Sequence, residues 1–160
     1  VTVIVGDIVR QPDCEAIVNA ANPQLLAGGG VCGAIHRAAG PALEGCAVKL
    51  GPIAVGEAVI TPGFDLPNRW VIHAVGPRYG IDPDPPTLLA RAVENCLRLA
   101  DAQAVTRIAL PAISTGIYGY PIEAAGPLLM ATARACAVRA RYLREIRFVL
   151  FSADALPWFQ

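Results

Sequence analysis

Lysine is almost missing from this chain: of 160 residues one, Lys49, is a lysine, although 13 are basic. A phosphate loop of the nucleotide-hydrolysing kind needs a lysine followed by Ser or Thr. The glycine-rich stretch here, Gly28-Gly29-Gly30, has neither, and the loop from Asn19 onwards contains no Lys or Arg before Arg37. Charge of either sign is sparse, at 16% of residues, and 13 basic and 13 acidic groups cancel to a formal net charge of zero. That balance argues against a broad electrostatic grip on nucleic acid or on an anionic membrane. Any anion must therefore be held locally. There are two histidines, and the five cysteines, Cys14, Cys32, Cys46, Cys96 and Cys136, never form Cys-x-x-Cys. Neither a metal site nor a cofactor is expected from such a ligand set. Scattered thiols in odd number suit a reducing compartment, so the expected location is the cytoplasm. No apolar run approaches the roughly 20 residues of a membrane span, and no signal peptide is visible.

What the chain does have is apolar mass. A hydrophobic content of 54% over 160 residues can bury one real core. A single domain spanning residues 1–160, monomeric in isolation, is expected. Val1 opens inside an apparent strand with no initiator Met, which reads as a segment of a longer polypeptide. Apolar alternation and branched residues predict strands at Val1–Val5, Ala16–Asn19, Val55–Thr61, Trp70–Val75, Arg107–Pro111 and Glu145–Phe151. Helical spacing predicts a helix from the glycines through Ala38, another over Pro41–Leu50, one capped by Thr87 and reaching about Asp101, and one over Ile122–Val138. Strands alternating with helices imply an α/β fold, a three-layer α/β/α domain on a mainly parallel sheet.

Two stretches read as more than structure. In Asn19 to His36 a short strand is stopped by Pro23, three glycines follow, and a helix starts over them, so its first free amides and dipole favour a phosphate. Gly28, Gly30 and Gly33 also spell a dinucleotide-binding pattern, but too far past the strand end for that turn. The second stretch is Ile113–Pro121, where Ser114, Thr115, Gly116 and Ile117 offer hydroxyls and amides and Tyr118 a flat face for a sugar. Parallel strands would bring both loops to one edge, forming a cleft suited to a pyrophosphate. Asp7, at the end of the first strand, can accept a hydrogen bond from an exocyclic amine. His73, inside an apolar run, is read as a hydrogen-bonded core residue.

Taken together, Gly6-Asp7-Ile8, Ala16 to Asn22, Gly28 to Val31, Ile35-His36, Val71-Ile72-His73 and Ile113 to Pro121 resemble the macro domain family, in particular its MacroD-type branch. The resemblance spans nearly the whole chain. It implies the macro domain fold, with a mixed, mainly parallel six-stranded sheet, and a domain that binds ADP-ribose and removes it from modified proteins. By that resemblance Asp7 holds the adenine amine, its neighbour Ile8 is among the ADP-ribose-binding residues, Phe151 borders the adenine, and Asn22 holds the distal ribose. Gly30, Val31 and Cys32 with Ser114, Thr115, Gly116, Ile117 and Tyr118 hold the two phosphates. Asn22, Gly30 and Cys32 would make up the catalytic set.

Cys32 departs from the cellular MacroD-type pattern, which has aspartate there. A thiol of pKa near ~8.5 is a poor substitute for a carboxylate at neutral pH. Replicase-polyprotein macro domains of the alphavirus and rubella type resemble this chain in carrying Gly-Val-Cys, so a viral segment acting in host cytoplasm is one expected source and a GC-rich bacterium another. Three functions stay open on the sequence. The first is a hydrolase that frees mono-ADP-ribose from protein Asp or Glu side chains by a substrate-assisted route. The second is a reader that binds ADP-ribose without turnover. The third is a thiol enzyme pairing Cys32 with His36 four residues on.

Overall fold

Short runs of branched apolar residues become strands, and the longer amphipathic stretches between them become helices. The computed structural model describes residues 1–160. In chain order the elements are β1 (Thr2–Val5), β2 (Ala16–Ala20), α1 (Gly30–Ala39), α2 (Pro41–Ala47), β3 (Ala58–Pro62), β4 (Trp70–Ala74), α3 (Pro85–Ala102), β5 (Arg107–Leu110), α4 (Ile122–Arg139) and β6 (Glu145–Leu150). Two short 3₁₀ segments, Val48–Leu50 and Ala153–Trp158, follow α2 and β6. One six-stranded sheet runs in the order β1-β6-β5-β2-β4-β3. Every pairing is parallel except that of β3 with β4. The mixed, mainly parallel α/β/α architecture expected from the sequence is the one observed.

Strand periodicity of two sorts the core into two layers. Val18, Ile72, Ile108 and Phe148 face one side, where Leu89 and Val93 of α3 and Leu129 of α4 cover them. Ile17, Val71, Ala109 and Val149 face the other, against Ile35 of α1 and Leu43 of α2. Burying each such Ile, Leu or Val contributes roughly 1.5–3 kcal/mol. No helix is long and apolar enough to cross a membrane, and no group of three or more His, Cys, Asp or Glu side chains is placed to hold a metal ion.

Two elements start more than one residue away from the sequence expectation, and α2 ends at Ala47 with its expected last turn, Val48–Leu50, in 3₁₀ form. The third strand starts at Ala58 rather than Val55, because Gly56 takes φ +92° and the Glu57 N–H turns back to the Ala54 carbonyl at 3.0 Å. Alternation of apolar residues did not reveal that turn. α3 starts at Pro85, not after a Thr87 cap. Two prolines at its start carry no N–H for a cap to satisfy, and the Leu88 N–H bonds the Asp84 carbonyl at 3.2 Å.

At the amino-terminal edge of the sheet one guanidinium ties the segment before β2 to β6. The Arg147 side chain, 12% exposed, donates to Asp13 at 2.7 and 2.9 Å, to Glu145 at 2.8 Å and to the Gln11 side chain at 2.8 Å. Those hydrogen bonds hold the Asp13 carboxyl down at about 2, below its ordinary 3.8. Arg147→Met should cost about 2 kcal/mol at neutral pH, the scale of lost charge-assisted hydrogen bonds. Because the folded state depresses the Asp13 pKa, this contribution is complete above about pH 4 and fades as pH falls towards 2. Urea unfolding from pH 6 downwards should therefore show wild type losing stability faster than Arg147→Met in that acid range.

Candidate functional site

The loop after β2 is held from within before it reaches the glycines. The Asn22 side chain clamps its own loop, Nδ2 donating to the Leu26 carbonyl at 2.9 Å and Oδ1 accepting the Leu26 N–H at 3.1 Å. From α2, Glu44 accepts the Ala27 N–H at 2.6 Å. α1 then begins at Gly30, whose φ of +57° turns the chain into the helix. Its cap residue, Gly29, has no side chain to spend, and the Gly33 N–H to the Gly29 carbonyl at 3.1 Å is the first helical bond. The amides of Gly30, Val31 and Cys32 are left unpaired, and they carry the positive end of the helix dipole.

A second amide wall follows β5. The Thr115 N–H and hydroxyl both bond the Ala112 carbonyl, at 3.3 and 2.6 Å, and the Tyr120 N–H closes onto the Ser114 carbonyl at 2.9 Å. Between these ties the amides of Gly116, Ile117 and Tyr118 have no partner within the chain. Ser114 sits at φ +70° with its buried hydroxyl unpartnered. The two walls face each other: a methyl built on Gly29 would lie 3.9 Å from Cδ1 of Ile117. Parallel pairing of Ile17 with Ala109 places both loops at the carboxyl edge of the sheet.

Other expected site residues reach the same edge in modified form. Asp7 follows β1, exposed, with one carboxylate oxygen accepting the Val9 N–H at 3.1 Å and the other 3.7 Å from Nε of Arg10. Phe151 follows β6 beside it, since Val5 pairs with Leu150, and the residue is 97% exposed. The Ile8 side chain is buried with Ile17, Ile35 and Val71, so any contact it makes with a ligand is through its main chain. Asn22 is likewise restricted. With Oδ1 and one amide hydrogen committed to Leu26, a single N–H remains for a sugar hydroxyl.

Cys32 is buried, and its sulfur is engaged with Asn19 Nδ2 at 3.7 Å and the Leu26 carbonyl at 3.6 Å. Burial pushes its pKa up, against a smaller opposite pull from the Asn19 amide and the Gly28 main chain. It is a neutral thiol bracing the loop. His36, one helical turn on, makes no hydrogen bond to it. Its Nε2 is buried without a partner, and burial lowers its pKa against the opposing charge of Glu44. A thiolate–imidazole pair has no geometric support here. His73 is fully buried between Asn19 at 3.1 Å and Thr61 at 3.0 Å, and burial pushes its pKa down to about 4. It is a neutral core residue, as the sequence reading has it.

Two cavities carried no signal in the sequence. One, of about 290 Å³, lies between α1 and α2 behind the glycine loop, lined by His36, Arg37 and Glu44 among others. The other, of about 330 Å³, lies between the distal ends of α3 and α4. There the carboxylate of Asp101 is spent on the amides of residues 141–143.

Two facing loops of unpaired amides at one sheet edge are the geometry expected from the motifs, and comparison with known proteins agrees. The family model described as Macro domain matches residues 18–129. The chain belongs to the macro domain family. Over 159 residues this macro domain is 45% identical to an O-acetyl-ADP-ribose deacetylase of Pantoea vagans, covering 96% of this chain and 92% of that protein. An O-acetyl-ADP-ribose deacetylase of Klebsiella pneumoniae is 48% identical over 157 residues, with 95% and 89% covered. Among solved structures, the Oceanobacillus iheyensis macrodomain with ADP superposes at TM-score 0.92 and 39% identity, covering 99% of this chain and 86% of that one. The Trypanosoma brucei macrodomain in complex with ADP-ribose superposes at 0.91 and 34% identity, covering 98% and 66%. With bacterial relatives this similar over nearly the whole chain, the viral-polyprotein origin suggested by Cys32 finds no support.

The contact from Glu44 to Ala27 ties the glycine loop of this macro domain to α2. Glu44→Ala should raise hydrogen exchange at the Ala27 amide by about tenfold, as a lost charge-assisted bond on a surface loop implies. Glu44→Gln, which keeps an acceptor, should recover most of that protection. Amide-resolved exchange at neutral pH is the check.

Proposed function

We propose that this macro domain binds ADP-ribose across the two amide walls and hydrolyses esters at its distal ribose. Its substrates in this reading are acylated ADP-ribose and proteins carrying mono-ADP-ribose on Asp or Glu. The carrying observation is the pair of facing loops whose amides at Gly30–Cys32 and Gly116–Tyr118 have no partner in the chain. Six directed N–H groups suit a pyrophosphate, which carries two negative charges and many acceptor oxygens. Similarity to O-acetyl-ADP-ribose deacetylases adds the reaction class. Five free thiols fit a cytoplasmic setting.

In the reaction, water adds to the ester and one C–O bond breaks, yielding a carboxylate, a proton and free ADP-ribose. Cys32 is no base for that step, being buried and held neutral. A phosphate oxygen of the substrate, fixed by the amides, orients the water instead, and the free N–H of Asn22 positions the ribose. The test is incubation with O-acetyl-ADP-ribose and, separately, with a protein mono-ADP-ribosylated on glutamate, following release of ADP-ribose. Release from both supports the full reading, and release from the first alone restricts the substrate to small acyl esters. Retention without release of either makes the domain a reader.

Two variants separate the roles. Asp7→Ala should weaken ADP-ribose by roughly tenfold to a hundredfold while leaving ribose 5-phosphate unchanged in calorimetry, because the lost bond is to the adenine amine. Cys32→Ala should fold and keep turnover within about tenfold of wild type. Abolished turnover in a Cys32→Ala protein of normal stability would instead demand thiol chemistry.

A further inference from the structure

The geometry points to the segment after β4, residues 76–82, as a brace that sets the second amide wall, with Gly76 and Tyr79 as positioning residues for the phosphates that wall receives. This rests on the ADP-ribose reading above and names part of the chain that neither the motifs nor the family resemblance assigned to the site.

Three contacts join the segment to the wall. Gly76 runs so close beneath Ser114 that any side-chain carbon on it would overlap the Ser114 hydroxyl and lie 2.6 Å from Cγ2 of Ile113. Ser114 is also the residue held at φ +70°, so this close approach supports the turn from which the unpaired amides project. Three residues further on, the Tyr79 N–H donates to the Tyr118 carbonyl at 2.8 Å, fixing the far end of the same run of amides. The Tyr79 ring packs on Tyr120 with centroids 4.8 Å apart and planes tilted by 52°.

The brace is itself closed. Asp82 accepts the Arg78 N–H at 2.8 Å and the Arg78 guanidinium at 3.0 and 3.1 Å, pinning the loop that carries Tyr79. Gly116, Ile117 and Tyr118 are therefore tethered at both ends to one neighbouring segment. Three consecutive N–H groups with no partner are costly to hold together, and a loop free to relax would fold them onto its own carbonyls. Holding them in place beforehand removes an ordering cost from binding, so a fault in the brace should appear as lost affinity for the phosphates.

The experiment compares ADP-ribose with adenosine, which lacks phosphates, on the whole chain by calorimetry and amide-shift titration. Gly76→Ala should bind ADP-ribose at least about tenfold more weakly while adenosine stays within about twofold, since the Asp7 end is untouched. Tyr79→Ala should weaken ADP-ribose by about threefold to tenfold, and Tyr79→Phe, which keeps the ring on Tyr120, should match wild type. If Gly76→Ala does not fold, the Tyr79 pair decides alone. A folded Gly76→Ala with unchanged ADP-ribose affinity, equal losses for both ligands, or a Tyr79→Ala indistinguishable from Tyr79→Phe would overturn the brace. Wild-type protein that binds no ADP-ribose would overturn the parent reading and this one with it.

Discussion

Parallel pairing of β2 with β5 is the constraint from which the site follows. The two strands run side by side in the same direction, Ala16 against Ile108 and Ile17 against Ala109, so the loops that leave them emerge at one edge. β1, β6 and β4 run the same way and deliver Asp7, Phe151 and Gly76 to that edge as well. The turn preceding each loop is stabilised by the core beneath it. Ile17 and Ala109 pack on the α1 side while Val18 and Leu110 pack on the α3 side, so a register slip would expose buried residues on both faces.

An anion site made of main-chain amides accords with a chain of zero net charge and one lysine. Its attraction comes from a few N–H dipoles aimed at one point, at short range, rather than from a surface field. Such a site depends on loop placement, and the ties around it are of different kinds. On the glycine loop they are polar: the Asn22 clamp, the Glu44 carboxylate and the Cys32 thiol, two of which meet at the Leu26 carbonyl. On the second loop they are the close approach of Gly76, a main-chain bond from Tyr79 and an aromatic contact. Beneath both, neutral His73 joins Asn19 of β2 to Thr61 of β3 without adding charge to the site.

The sequence carried most of the fold, because branched runs and their spacing report directly on which faces are buried. All six strands and the four long helical stretches lie where that pattern puts them. The missed boundaries are local. Gly56 breaks an alternating run through its backbone alone, and a proline pair removes the need for the cap that Thr87 would have supplied. At the site, residue identity revealed where amides would be free but not which side chains were already engaged. The motif does not show that the Asn22 side chain is mostly committed to Leu26, that the Ile8 side chain is core, or that the Cys32 side chain is buried under the loop. Gly76 had no legible signal, since its role lies in a contact with Ser114, 38 positions away in sequence, that only the packed structure creates.

The central claim is that two separate runs of amides hold one ligand between them. A titration of the isotope-labelled domain with ADP-ribose, followed at each backbone amide, tests it directly. The account predicts that Gly30, Val31, Cys32, Gly116, Ile117 and Tyr118 shift together and saturate along one binding curve. Shifts confined to one of the two loops, or centred on His36 and Arg37 in the cavity between α1 and α2, would contradict it.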